Sequence, residues 1–130
     1  MNEGFESFVE EEKLPVYNIK HRAFHFAKEV VLFVGQMKFD RIYFSLFDQL
    51  VRSSTSIGAN LVEGMAGVST KDFVNYNAIA LKSANETKYW LCLIKEISIV
   101  DKNKIDEFIK EADEISRIVA KIIINTKRNQ

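Results

Sequence analysis

The sequence predicts an all-α fold, an antiparallel up-and-down four-helix bundle, on three observations. Breakers are scarce: the 130 residues include one proline, Pro15, and five glycines. Apolar residues recur at alternating spacings of three and four through four long segments, as they do in helices packed along a common seam. No segment shows the strict apolar–polar alternation of a half-buried strand. The length suits one domain. A composition of 47% hydrophobic and 28% charged residues belongs to a folded chain rather than a disordered one.

The elements follow in order. Helix 1 is expected from about Val16 to Met37, with Ile19, Ala23, Phe26, Val30, Phe33 and Met37 on its seam. Asp40 is placed to cap the next helix through its carboxylate. Helix 2 is expected over Arg41–Ala66, with Leu46, Leu50, Ser54, Ile57 and Leu61 inward and Gly64 and Gly67 bracketing its stop. Ser69 followed by Asp72 resembles a capping box for helix 3, Thr70–Ile97. Its seam is Phe73, Asn77, Ala80, Ala84, Thr87, Leu91 and Ile94, with small residues in the middle that imply close approach to a neighbour. Asp101 caps helix 4, whose seam runs Ile105, Phe108, Ala112, Ile115, Val119 and Ile122 and which ends near Lys127. Short connections between long helices force neighbours to be antiparallel.

The chain divides into an acidic N-terminal arm, residues 1–14, and a bundle, residues 15–128. The arm holds Glu3, Glu6, Glu10, Glu11 and Glu12 against Lys13, a net −4 in a chain of net zero charge, which leaves +4 for the remainder. Phe5, Phe8 and Val9 fall within it at helical spacing. A neutral total is not the strongly basic balance of a dedicated nucleic-acid binder. The N-terminus lacks the basic and apolar regions of a signal peptide. The longest pure apolar run, Val30 to Val34, is too short to span a membrane. The cytoplasm is the expected location, with no membrane partner.

Most of the chemistry a helical bundle can host is missing. His21 and His25 have the spacing of a shared metal, but a ligand set needs three or four members. They lie opposite the helix 1 seam and are expected to face solvent. A di-iron carboxylate site needs two Glu-x-x-His motifs, and Asn18 and Arg22 stand where the glutamates would be. Gly64 and Gly67 lack the Lys-Ser/Thr of a phosphate loop. Cys92, the single cysteine, has no activating base nearby in sequence and reads as a buried structural thiol. The sequence therefore predicts no enzyme, no catalytic residue, no metal, no cofactor and no small-molecule substrate.

Two surface patterns stand out. Gln49, Arg52, Ser56, Asn60 and Glu63 form a stripe along helix 2, away from the Leu50–Ile57–Leu61 face. Short hydrogen-bonding side chains of this kind suit a specific, partly buried network between helices or subunits. Phe24, Leu32, Leu81, Trp90, Ile118 and Ile124 lie off the main seams. Second apolar faces on several helices point to self-association, with Leu81, Trp90 and Ile118 as interface candidates. Arg52, with Arg117, Lys121, Lys127 and Arg128 near the end of helix 4, are the candidate phosphate contacts, and the acidic arm is expected to compete for the same cations.

The run Asp48-Gln49-Leu50-Val51-Arg52-Ser53-Ser54-Thr55-Ser56-Ile57-Gly58-Ala59-Asn60-Leu61-Val62-Glu63-Gly64 resembles the signature of proteins encoded in intervening sequences of bacterial 23S ribosomal RNA genes. Downstream, Ser69, Lys71, Asp72 and Phe73 resemble that family's start of helix 3, and Ala80, Ser83 and Glu86 its middle. The resemblance covers roughly residues 14–125. It implies an up-and-down bundle assembled as a homopentamer, with nucleic acid, RNA above all, as the suggested partner. It adds Glu86 to the stripe of Gln49, Arg52, Ser56, Asn60 and Glu63 as a structural polar network. A related fold serves diversity-generating retroelements as an accessory protein. A protein-interaction scaffold is the other reading. Two departures are visible: Gly67 stands where the family commonly has Arg, and Phe39-Asp40 with Ile42 replaces its Phe-Pro and Glu before helix 2.

Overall fold

The computed structural model describes residues 18–98 and 100–129. Four α-helices are present among them: α1, Ile19–Gln36; α2, Phe44–Met65; α3, Thr70–Ile97; and α4, Lys102–Arg128. No strand occurs among the described residues. Each helix packs against its neighbours in sequence, and α4 closes back onto α1. The α1–α3 and α2–α4 pairs are diagonal. The bundle is therefore the antiparallel up-and-down arrangement expected from the seams and short loops. The α2–α3 contact is the most extensive and α1–α4 the least.

The core follows the seam. Ala23, Phe26 and Val30 from α1 meet Leu50, Ile57 and Leu61 from α2, with Ala80, Ala84, Leu91 and Ile94 from α3 and Ile105, Phe108, Ala112, Ile115 and Val119 from α4. Phe108 takes two edge-to-face partners from α1, Phe26 at 6.0 Å and Phe33 at 5.4 Å between ring centroids. Offset and edge-on pairs of this kind add to the stabilisation from burial alone. Arg22 ties the same two helices at their surface. Its guanidinium donates to Glu111 at 2.5 Å and 3.0 Å and to Glu114 at 3.1 Å.

The helix ends show where local signals held and where they did not. Ser69 Oγ accepts from the Asp72 amide at 3.1 Å, and the Asp101 carboxylate accepts from the Lys104 amide at 3.1 Å. Both caps satisfy amides that have no partner within the helix. Asp40 makes no side-chain cap; its backbone carbonyl accepts from Tyr43 in one turn of 3₁₀ helix, Arg41–Tyr43, before α2 begins. α2 therefore starts three residues later than expected. The chain also leaves α2 without a left-handed glycine, since no described glycine has positive φ. Instead Ala66 and Gly67 donate to Val62 and Gly64, tightening the last turn. The acidic arm and the expected start of helix 1 at Val16 lie outside the described residues.

Glycines mark where helices touch. A Cβ on Gly64 would sit 3.1 Å from Tyr76 Cβ and 3.3 Å from Asn77 Nδ2, so α2 and α3 are close at this point. A Cβ on Gly35 would meet nothing within 4 Å. The two positions should respond oppositely to substitution. Gly35→Ala should stabilise the fold by about 0.5–1 kcal/mol, because alanine loses less backbone freedom in a helix. Gly64→Leu should cost about 1–3 kcal/mol through overpacking against α3. Urea unfolding of both variants measures the contrast.

Candidate functional site: the outer face of α2 and α3

The α2–α3 contact is built from small and hydroxyl side chains. Ser53, Ser54, Asn77, Ser83 and Thr87 are buried there with Ala80 and Ala84. The Ser53 and Thr87 hydroxyls lie 2.9 Å apart, and Thr87 also donates to the Ser83 carbonyl at 2.7 Å. Ser83 Oγ donates to Ser56 Oγ at 2.9 Å. Asn60 Nδ2 reaches the same serine, at 2.9 Å to its hydroxyl and 2.8 Å to its carbonyl. Asn77 closes onto its own helix through Phe73 O. Hydroxyls that bond one another or the preceding turn can be buried without leaving polar atoms unsatisfied.

This seam joins two surface stripes. Ser56 and Asn60 are half-buried at its edge, and Gln49, Arg52 and Glu63 stand outside them, exposed. Arg52 is bound through Nε to Asp48 at 2.9 Å, with 73% of its side chain exposed. On α3, Glu86 is exposed and accepts from the Trp90 indole at 2.9 Å. Trp90 meets Tyr89 edge-on at 5.1 Å. Spacings of seven, four, three and four align Ile79, Glu86, Trp90, Leu93 and Ile97 on one outer line of α3. Ile79 and Ile97 are each 45% exposed. The Ser56–Ser83 bond sets the two lines side by side, so polar and apolar groups share one face.

The other expected site residues lie elsewhere. Leu81 sits two turns before Lys88, which pairs with Asp113 of α4 at 3.1 Å, so it belongs to the α3–α4 side. Ile118 follows Glu114 by one turn, on the side of α4 towards α1. Arg117, Lys121, Lys127 and Arg128 are all exposed along the end of α4. Beyond Glu114 the sequence contains no Asp or Glu, so Lys121, Lys127 and Arg128 continue a basic strip from Arg117, which itself pairs with Asp113 at 2.8 Å. Lys127 and Arg128 occupy the last turn, where the helix dipole favours positive charge. Arg52 is on the diagonal helix and is not part of that strip.

Two expectations are corrected. His21 is 2% exposed rather than solvent-facing, whereas His25 is half-buried against Phe24, with ring centroids 5.6 Å apart. Cys92 is exposed rather than buried, because it stands one residue round the helix from Leu91, which takes the core position. Sequence reasoning also missed the role of Ser53 and Thr87. Their signal was present as polar residues standing next to, or on, the seams of two adjacent helices. Among the described residues no group of three or more His, Cys, Asp or Glu is arranged to hold a metal ion.

Charge interactions are confined to the periphery. The Arg22 guanidinium is held above its ordinary value by its hydrogen bonds to Glu111, and further by Glu114, against partial burial. Asp113 is held below the usual carboxylate range by Arg117 and then by Lys88. A lowered folded pKa contributes stability above the ordinary aspartate value, and that contribution disappears as the pH falls through the folded value. Asp113→Asn should therefore flatten the acid limb of a stability–pH profile and leave the limb above neutrality unchanged. Thermal melts of the variant and parent between acid and neutral pH check this.

Comparison with known proteins points one way. A family model described as 23S rRNA-intervening sequence protein matches residues 12–121. The crystal structure of a protein of unknown function from the S23 ribosomal protein family of Bacteroides thetaiotaomicron is 33% identical. The match covers 81% of this chain and 97% of that one, with a TM-score of 0.71. No curated protein sequence matches the chain. No described helix is long and apolar enough to cross a membrane.

Proposed function

Because the chain belongs to the 23S rRNA-intervening sequence protein family, we propose that it acts without catalysis, as a homo-oligomer whose basic surface binds RNA. The α2–α3 outer face carries this reading. It combines an aromatic anchor, Trp90, and exposed isoleucines with side chains that keep unused hydrogen-bonding capacity: Gln49, Arg52, Glu63 and Glu86. An apolar centre within a polar surround is the make-up of a specific protein interface. A ring of five is the assembly that the resemblance implies. Repeating the α4 strip around a ring axis would multiply weak phosphate contacts from Arg117, Lys121, Lys127 and Arg128 by avidity. Arg52 stands apart from the strip and is assigned to the subunit face.

A scaffold for a protein partner is the second reading. The same apolar face favours it, since such a face serves a different chain as well as a second copy. An accessory protein of a diversity-generating retroelement is a third; a reverse-transcriptase gene beside this one would select it.

Size-exclusion chromatography with light scattering should give a stable oligomer at micromolar concentration. Ile79→Glu places a charge on the proposed face at an exposed position and should yield monomers with an unchanged helical spectrum. Asn60→Ala leaves Ser56 bonded to Ser83, so it should weaken the assembly more than the isolated subunit. A parent protein that is monomeric overturns the subunit-face assignment.

For RNA, titration at two salt concentrations is the test. Binding that is mainly electrostatic should weaken steeply as salt rises, through release of counterions from the phosphates. Lys121→Glu with Arg128→Glu should weaken it at low salt without altering the fold, because both side chains are exposed. Absence of binding at low salt would shift the reading to the protein scaffold.

A further inference from the structure

A groove of about 400 Å³ runs between α1 and α2, on the side away from the α4 strip. Ala27, Val31 and Leu32 line it from α1, and Gly58 and Val62 from α2. Val31 is 41% and Leu32 48% exposed. Gly58 forms part of the floor, where a Cβ would stand 3.4 Å from Ala23 Cβ, in ordinary contact. Among the described residues of its lining, Lys28 is the one that is charged and none is a carboxylate. The groove thus suits an apolar segment that carries negative charge.

We propose that this groove is the docking site of the chain's own N-terminal segment, with Phe5, Phe8 and Val9 as its anchors. The segment has the matching character: three apolar side chains at helical spacing among five glutamates. It is joined to α1 next to the groove, at Asn18. The middle of the groove, near Ala27, lies about nine residues along α1, or roughly 13 Å. The stretch between Val9 and Asn18 reaches up to about 30 Å when extended, which exceeds that distance. The anchors precede residue 12, where the family match begins.

The inference concerns the isolated subunit and does not depend on RNA binding or on oligomerisation.

Paramagnetic relaxation in the full chain tests it. Cys92→Ser removes the native thiol, and Glu6→Cys accepts a nitroxide between the anchors. Docking should broaden the methyl signals of Val31, Leu32 and Val62 and spare Ile97 at the other end of the bundle. The broadening should be lost when Phe5→Ser and Phe8→Ser are added, with the helical spectrum unchanged. Broadening centred instead on Ile118, Ile122 and Ile124 would place the arm on the basic strip of α4 and overturn the groove. So would broadening in none of these methyls. Mixing isotope-labelled chains with spin-labelled ones separates the remaining case: broadening passed between chains would make the occupant a second copy and reject docking within one chain.

Discussion

The fold depends on how closely α2 can approach α3. Large aliphatic side chains along that line would hold two helices about 10 Å apart. Here the line carries Ser53, Gly64, Ala80, Ser83, Ala84 and Thr87, which bring little bulk and three hydroxyls. Close approach gains many dispersion contacts. It would be costly if the hydroxyls were stranded away from water, since a buried polar atom without a partner is destabilising by about 1–3 kcal/mol. The Ser53–Thr87 and Ser83–Ser56 pairs across the contact, together with the Leu50 and Ser83 carbonyls one turn back on each helix, remove that cost. The polar groups then select one register, because sliding either helix by a turn would separate both pairs.

That register determines the surface. With Ser56 against Ser83, the polar line of α2 and the Trp90 line of α3 adjoin, and neither alone would make a broad face. The basic strip of α4 lies on the helix diagonal to α2 and so stands apart from the polar line of that helix. The α1–α2 side is different again: apolar, nearly uncharged and directly beside the point where the acidic segment joins the bundle. Two helix pairs and the outer side of α4 thus present three kinds of surface from one regular packing scheme.

Much of this was legible in the sequence, because bundle seams are written at spacings of three and four and four long seams leave few topologies. Ser69 and Asp101 were equally legible, since a cap acts within its own helix turn. Asp40 failed for the opposite reason: a 3₁₀ turn lets its carbonyl do what its carboxylate was expected to do. Gln49, Arg52, Ser56, Asn60 and Glu63 could be recognised as one stripe, but not that Ser56 alone among them would bond to α3 directly. Cross-helix partners depend on the rotation of both helices, and the sequence of one cannot set them. His21 and Cys92 show the same limit, since the sequence places a residue on a helix side without saying what else lies against that side.

Paired hydroxyls across α2 and α3, rather than shape alone, fix the contact. A double-mutant cycle with Ser53→Ala and Thr87→Val measures this most directly, by denaturant unfolding of both single variants and the double. The expected coupling between the two sites is about 0.5–3 kcal/mol, as for residues that share a hydrogen bond. Single-variant effects that simply add, with no coupling, would contradict it and leave close packing of small residues as the whole explanation.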